Sequence, residues 1–142
     1  MEYTVKVIIP AYNEAAAISK VIRDIPNFVQ ETIVVDNGST DLTSEVAKCA
    51  GATVLVAPNK GYGSACLKGI EYIKNSDKKT DIVVFLDGDY SDYPEQMSEI
   101  IAPILNQNID FVLGSRKRRL GEKGAMQPQQ RFGNWLATNL MR

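Results

Sequence analysis

The residues best suited to chemistry are Asp87-Gly88-Asp89, which follow the apolar run Ile82-Val83-Val84-Phe85-Leu86. In extended backbone, positions i and i+2 project to the same side, so Asp87 and Asp89 can address one point. Gly88 between them permits a sharp turn and close approach of a ligand to the backbone. Two hard carboxylate oxygens suit Mg²⁺ or Mn²⁺, cations that keep coordination positions for water and substrate phosphate. Asp-Gly is also a common turn pair. Two like charges at the end of an apolar strand are costly without a cation, however, which favours the metal reading.

Three further polar clusters end apolar runs. Pro10-Ala11-Tyr12-Asn13-Glu14 follows Val5–Ile9, and Tyr12 offers a ring on which a base could stack. Asp36-Asn37-Gly38-Ser39 follows Thr32–Val35. An Asn-Gly pair often makes a hairpin turn, but a helical pattern follows, so a carboxylate or amide reading a base N–H fits better. Gly114-Ser115-Arg116 opens the cationic run Arg116-Lys117-Arg118-Arg119. Arg116 there is the candidate for holding phosphate. Lys60-Gly61-Tyr62-Gly63-Ser64 opens a helix, and Lys60 with the helix amides could attract an anionic substrate. It is no dinucleotide fingerprint, since Cys66 occupies the place of the third glycine, and the chain contains no P-loop motif.

The elements that must position these residues alternate along the chain. Strands are expected at Val5–Ile9 (stopped by Pro10), Thr32–Val35, Ala52–Val56, Asp81–Leu86 and Ile109–Leu113. The fourth reads as covered on both faces. Between them lie helical stripes. Ile18, Val21, Ile22 and Ile25 form the first, with Asn13 as its cap. A second runs from a cap at Ser39, Thr40 or Asp41 to a stop at Gly51, and a third spans Gly61 to Ile73. The fourth is opened by Asp92, Pro94 and Glu95 and carries Pro103. Such alternation implies an α/β fold, a mainly parallel sheet with helices on both faces. In such sheets ligands bind outside the carboxyl ends of the strands, where these polar clusters fall.

The 142 residues carry 16 Lys+Arg and 17 Asp+Glu, a net charge of −1. That total hides a division. Residues 1–115 hold 9 basic and 16 acidic side chains, a balance of −7, whereas 116–142 hold 7 basic and 1 acidic, a balance of +6. The organisation expected is an α/β core over 1–115 and, in the same domain, a basic loop and helix over 116–142. That helix carries Phe132, Trp135, Leu136 and Leu140 on one face. A nucleic-acid-binding role is not expected from this charge. With no histidine, and with Cys49 and Cys66 outside any C-x-x-C pair, a zinc site, a Ser-His-Asp triad and a Cys-His dyad are excluded. Free thiols, the absence of a secretory signal and the lack of a 20-residue apolar stretch point to the cytoplasm. A receiver-like signalling domain would place acidic residues after strands one and three, where this chain has Pro10-Ala11-Tyr12 and Ala57-Pro58-Asn59.

Together, Val7–Glu14, Val34–Asp41, Asp87-Gly88-Asp89 and Gly114-Ser115-Arg116 resemble glycosyltransferase family 2. Asn59–Ala65 and Tyr90–Glu95 bring the resemblance nearest to the polyprenyl- and dolichyl-phosphate sugar synthases. The resemblance implies a Rossmann-like GT-A fold that binds a UDP- or GDP-linked sugar with Mg²⁺ or Mn²⁺. Pro10, Tyr12 and Glu14 match the nucleotide-binding segment, and Asp36 and Asn37 the base-reading pair. Asp87, Gly88 and Asp89 match the metal and diphosphate motif, and Arg116 the sugar-phosphate side. Many relatives carry Asp where this chain has Asn37. Members usually continue with acceptor-side elements and membrane segments, so an N-terminal portion is expected, peripheral to the cytoplasmic membrane face. The implied reaction is inverting transfer to a lipid phosphate, which needs no strong base because the acceptor is already ionised. A hydroxyl acceptor would require a carboxylate base, for which Asp92 is the nearby candidate. A nucleotide-sugar-binding module without turnover is the competing class.

Overall fold

The computed structural model describes residues 3–107 and 109–114. The first of two compact units spans Met1–Val112. The expected helix over 131–142 and the basic loop with Arg116 lie outside the described residues.

Four parallel strands, β1 (Val5–Ala11), β2 (Val29–Asp36), β3 (Thr53–Val56) and β4 (Ile82–Phe85), form a sheet in the order β3-β2-β1-β4. The expected α/β architecture is present. The helices are α1 (Ile18–Asp24), α2 (Thr43–Cys49), α3 (Tyr62–Lys74) and α4 (Met97–Gln107), the last preceded by a short 3₁₀ turn at Pro94–Gln96. Alternation divides β1 between two cores. Val5, Val7, Ile9 and Ala11 pack with Ile18, Val21 and Ile22 of α1, Ala47 of α2 and Met97 and Ile101 of α4. On the other face, Ile8 joins Ile33, Val35 and Ala65 of α3.

β1 does not stop at Pro10. In a parallel strand, N–H and C=O of one residue point to the same neighbour, and the bond from Leu86 N–H to Ile8 C=O directs even positions toward β4. β4 pairing ends at Ile8–Phe85, so the missing Pro10 N–H falls where no ladder partner is required, and pairing with β2 continues to Ala11–Asp36. At the other end, Val5 pairs with Val29 and Lys6 with Glu31, leaving Gln30 as a bulge whose Oε1 accepts the Val5 N–H.

Two strand expectations are corrected. β4 is not covered on both faces: Ile82 and Leu86 are buried, but Val83 and Phe85 are 38% and 44% exposed. By register those two share the face of Lys6 and Ile8, where α3 packs over β1, β2 and β3 and, among the described residues, leaves β4 open. The segment from Ile109 to Leu113 is not a strand. Phe111 and Leu113 are 77% and 80% exposed, and among the described residues the segment pairs with nothing. Local apolar alternation cannot stabilise a strand without a ladder to satisfy its backbone.

The caps also differ from expectation. Ala17, Leu42 and Tyr93 occupy the positions before the first helical residues, and none caps through its side chain. Asn13, Ser39 and Thr40 are bonded between loops instead, while Asp41 accepts the N–H of Thr43 at 3.0 Å. Gly51 does end α2 as expected. At φ +96° it closes a Schellman arrangement, its own N–H bonding Lys48 C=O and the Ala52 N–H bonding Ala47 C=O.

Candidate functional site

The polar clusters converge on the carboxyl edge of the sheet because β1, β2 and β4 are parallel neighbours there. The loop after β2 is laced to the loop after β1. Asn13, at φ +56°, donates its N–H to Ser39 Oγ at 2.9 Å and accepts the Thr40 N–H on Oδ1 at 2.8 Å. Glu14 N–H reaches Thr43 Oγ1 at 2.8 Å, and Ala15 N–H reaches Asp41 Oδ2 at 3.1 Å. This lacing presents Tyr12 at the rim with its ring half exposed. Sequence reasoning did not assign Thr43 or Ser44 to the site. The signal available was the density of Ser, Thr and Asp just after Gly38.

Asp36 is 7% exposed. Its Oδ1 accepts the Ser39 N–H at 2.8 Å and its Oδ2 accepts the Ser44 hydroxyl. Burial alone would raise its pKa, but these bonds outweigh it and hold the carboxyl below the ordinary Asp value. Asp36 thus organises the loop, while the neighbouring Asn37 is partly exposed and accepts the Gly61 N–H on Oδ1 at 2.9 Å. That bond fixes which amide atom faces Gly61, so the Asn37 amino group supplies its remaining donors. Lys60 lies against Gly38: a Cβ added to Gly38 would meet Lys60 Cε at 3.6 Å.

Asp87, Gly88 and Asp89 stand at the end of β4. Gly88 nestles against the β1 side, where an added Cβ would lie 3.5 Å from Glu14 Cγ, Ile18 Cδ1 and Ile9 Cγ2. Glu14 therefore lies against this turn. Burial first, then the charges of Asp89, Asp41 and Asp87, push its pKa above the usual Glu value. The Tyr62 hydroxyl donates to Asp87 Oδ1 at 3.3 Å, and burial followed by the Asp87 charge pushes its pKa up to about 12. The Asp87 N–H reaches Asp92 Oδ2 at 3.4 Å, so Asp92 supports this turn. Ser91 N–H bonds Asp89 Oδ1 at 2.9 Å. Tyr90 follows at φ +63°, its hydroxyl donating to Asp24.

Among the described residues, no group of three or more His, Cys, Asp or Glu is placed to hold a metal ion. The donor set is instead two carboxylates of one turn beside a raised Glu14, which fits a hard cation that shares its shell with substrate phosphate. Pro10, Tyr12, Glu14, Asp36, Asn37, Lys60, Asp87, Gly88 and Asp89 share this edge. Arg116 lies outside the described residues.

The model of glycosyl transferase family 2 matches residues 6–142. The chain belongs to that family. Its relatives include protein RfbJ of Shigella flexneri, 38% identical over 117 residues, which cover 81% of this chain and 87% of RfbJ. The UDP-N-acetylglucosamine–dolichyl-phosphate N-acetylglucosaminyltransferase of Methanococcus voltae is 30% identical over 146 residues, covering 89% of this chain and 57% of that enzyme. Glucosyl-3-phosphoglycerate synthase of Mycobacterium tuberculosis, in its crystal structure with Mn²⁺, UDP-glucose and phosphoglyceric acid, superposes with a TM-score of 0.64 at 32% identity. That match covers 73% of this chain and 40% of the synthase. Apart from RfbJ, the chain spans about half the length of these relatives. The family membership accords with the expected GT-A fold, and among the described residues no helix is long and apolar enough to cross a membrane.

Proposed function

We propose that the protein transfers a sugar, with inversion, from a UDP- or GDP-linked donor to a polyprenyl phosphate, using Mg²⁺ or Mn²⁺. The observation that carries this reading is the Asp87-Gly88-Asp89 turn after β4, with Gly88 lying against Glu14, on the same sheet edge as the Asn37–Gly61 bond. Asp87 and Asp89 would hold the cation, whose charge would offset that of the departing nucleoside diphosphate. Tyr12 supplies a face for the base, Asn37 an amide at its edge, and Lys60 a cation for the phosphates. Arg116 is assigned to the sugar-phosphate side by the family motif alone. The ionised acceptor phosphate attacks C1 from the opposite side without a strong base, in keeping with a chain that has no histidine. The dolichyl-phosphate acceptor of the methanococcal relative supports the lipid phosphate. With such an acceptor the protein works at the cytoplasmic membrane face.

A second reading, transfer to a hydroxyl acceptor, is favoured by the likeness to a synthase crystallised with phosphoglyceric acid. Incubating the full-length protein with radiolabelled UDP-glucose, UDP-GlcNAc or GDP-mannose, Mn²⁺ and either polyprenyl phosphate or phosphoglycerate separates the two. Label in the lipid product supports the first reading, and label in the phosphoglycerate product replaces it. Binding of a donor with transfer to neither would leave a nucleotide-sugar-binding module, and binding of none would overturn all three.

A further inference from the structure

We propose that Tyr62 is a positioning residue that orients the Asp87 carboxylate for its cation, and so couples the start of α3 to the metal site. The proposal rests on the metal-dependent reading above. The segment Lys60–Tyr62 is held at three points. Lys60 lies along Gly38, Gly61 N–H is taken by Asn37 Oδ1 at 2.9 Å, and the Tyr62 hydroxyl donates to Asp87 Oδ1 at 3.3 Å. In the order β3-β2-β1-β4, Asn37 ends β2 and Asp87 ends β4, so these two bonds bridge the strand ends on either side of β1. Gly61 makes the crossing possible. At φ +129° it adopts a backbone that side-chain-bearing residues rarely take, and it turns the chain into the helix at Tyr62.

A carboxylate that ligates a cation through one oxygen is oriented by what its other oxygen accepts. A phenol hydroxyl serves without adding charge and, because its proton is retained at neutral pH, without competing for the cation. At 3.3 Å the bond is long for O–H···O, and such bonds tighten when the ligand set closes. The nucleotide-side loop and the metal-side turn are thereby set by one short segment.

The test is calorimetric titration of UDP and GDP into full-length wild type and Tyr62→Phe at stepped Mn²⁺ concentrations, with melting temperature as a folding control. Tyr62→Phe removes one oxygen from a side chain that is more than half exposed, so the fold is retained. The Mn²⁺ concentration giving half-maximal nucleotide affinity should rise on the order of five- to tenfold. That is at or below the roughly 10–100-fold seen when a partner of a metal ligand is lost, because water can replace the exposed hydroxyl. Metal-free nucleotide affinity should stay unchanged. An unchanged Mn²⁺ midpoint in Tyr62→Phe overturns the role of Tyr62 and leaves the proposed function standing. Equal weakening with and without Mn²⁺ also overturns it, since that would be a general effect on α3. Wild type that binds neither nucleotide with Mn²⁺ overturns the underlying reading itself.

Discussion

Lys6 of β1 and Glu31 of β2 are paired across the sheet, and their side chains close an ion pair at 2.8 Å with the Lys6 side chain 2% exposed. Glu31 also accepts hydrogen bonds from the Tyr72 hydroxyl at 2.8 Å and from Thr53 at 3.0 Å. One carboxylate thus ties β1, β2, β3 and α3 together, immediately after the Gln30 bulge that sets the register. Such pairs contribute little net stability when intact but cost about 3–5 kcal/mol when one partner is removed. With the Glu31 side chain 23% exposed, Lys6→Met or Glu31→Ala should cost about 3 kcal/mol by urea denaturation. Lys6→Met combined with Glu31→Ala should cost less than the sum of these two single changes by about 1 kcal/mol or more. Strict additivity would mean that the two side chains do not interact.

The same pair gives a pH dependence with a definite sign. Burial would raise the Glu31 pKa, but bonds from Lys6, Tyr72 and Thr53 hold it below the ordinary Glu value. Asp36 is likewise held below 3.8. A carboxyl depressed on folding contributes stability that is present above its unfolded pKa and is lost as pH falls through its folded pKa. Unfolding free energy should therefore fall as pH drops below about 4.5, and less steeply in Glu31→Gln. Parallel profiles for wild type and variant would remove Glu31 from the acid response.

Glu14 carries the opposite sign. Its raised pKa makes the ionised form unfavourable on folding, a penalty relieved as pH falls. Because Asp89 is the largest charge contribution after burial, Asp89→Asn should bring the Glu14 midpoint back toward 4.5 in a carboxyl NMR titration. Burial remains, so the return is partial. A Glu14 midpoint that does not move places Asp89 too far away to matter.

Two glycines of α3 should respond oppositely to alanine. A Cβ at Gly69 would sit 2.7 Å from Ile8 Cγ2, and Ile8 is fully buried between β2 and β4. Gly69→Ala should cost about 1–3 kcal/mol through overpacking, despite a helix-propensity gain of about 1 kcal/mol. Ile8→Ala removes all three clashing carbons, so Gly69→Ala should cost less in that background than in the wild type. Gly63 has open space at its Cβ, so Gly63→Ala should be neutral or stabilising by up to about 1 kcal/mol. Chemical denaturation of both variants checks the contrast.

Much of the fold is legible in the chain because its signals are local. The β-branched run of β1, the stripe of Ile18, Val21 and Ile22, and Gly51 after α2 each act over a few residues. Asp87-Gly88-Asp89 is legible as a candidate site for the same reason: two like charges ending an apolar strand are costly wherever the strand lies. The errors arise where a local signal depends on a distant partner. Pro10 reads as a stop, but only the side on which β4 ends decides whether its missing N–H matters. Ile82–Leu86 reads as doubly covered, yet coverage depends on how far α3 extends across the sheet. Asn13 reads as a cap, but the loop after β2 offers its side chain and N–H closer partners.

The sequence by itself determined the order of the first four strands and the four helices, the acidic pair and the family motifs, since these are properties of neighbouring residues. Only the tertiary structure decided which carboxylates do what. Asp36 is turned inward onto Ser39 and Ser44, Glu14 lies against Gly88 of the acidic turn, and Tyr62 reaches Asp87 from a helix that starts 25 residues earlier. The physical reason is that the state of a carboxyl depends on its burial and on the donors and charges within a few ångströms. In a parallel sheet those neighbours come from different strand ends, far apart in the chain.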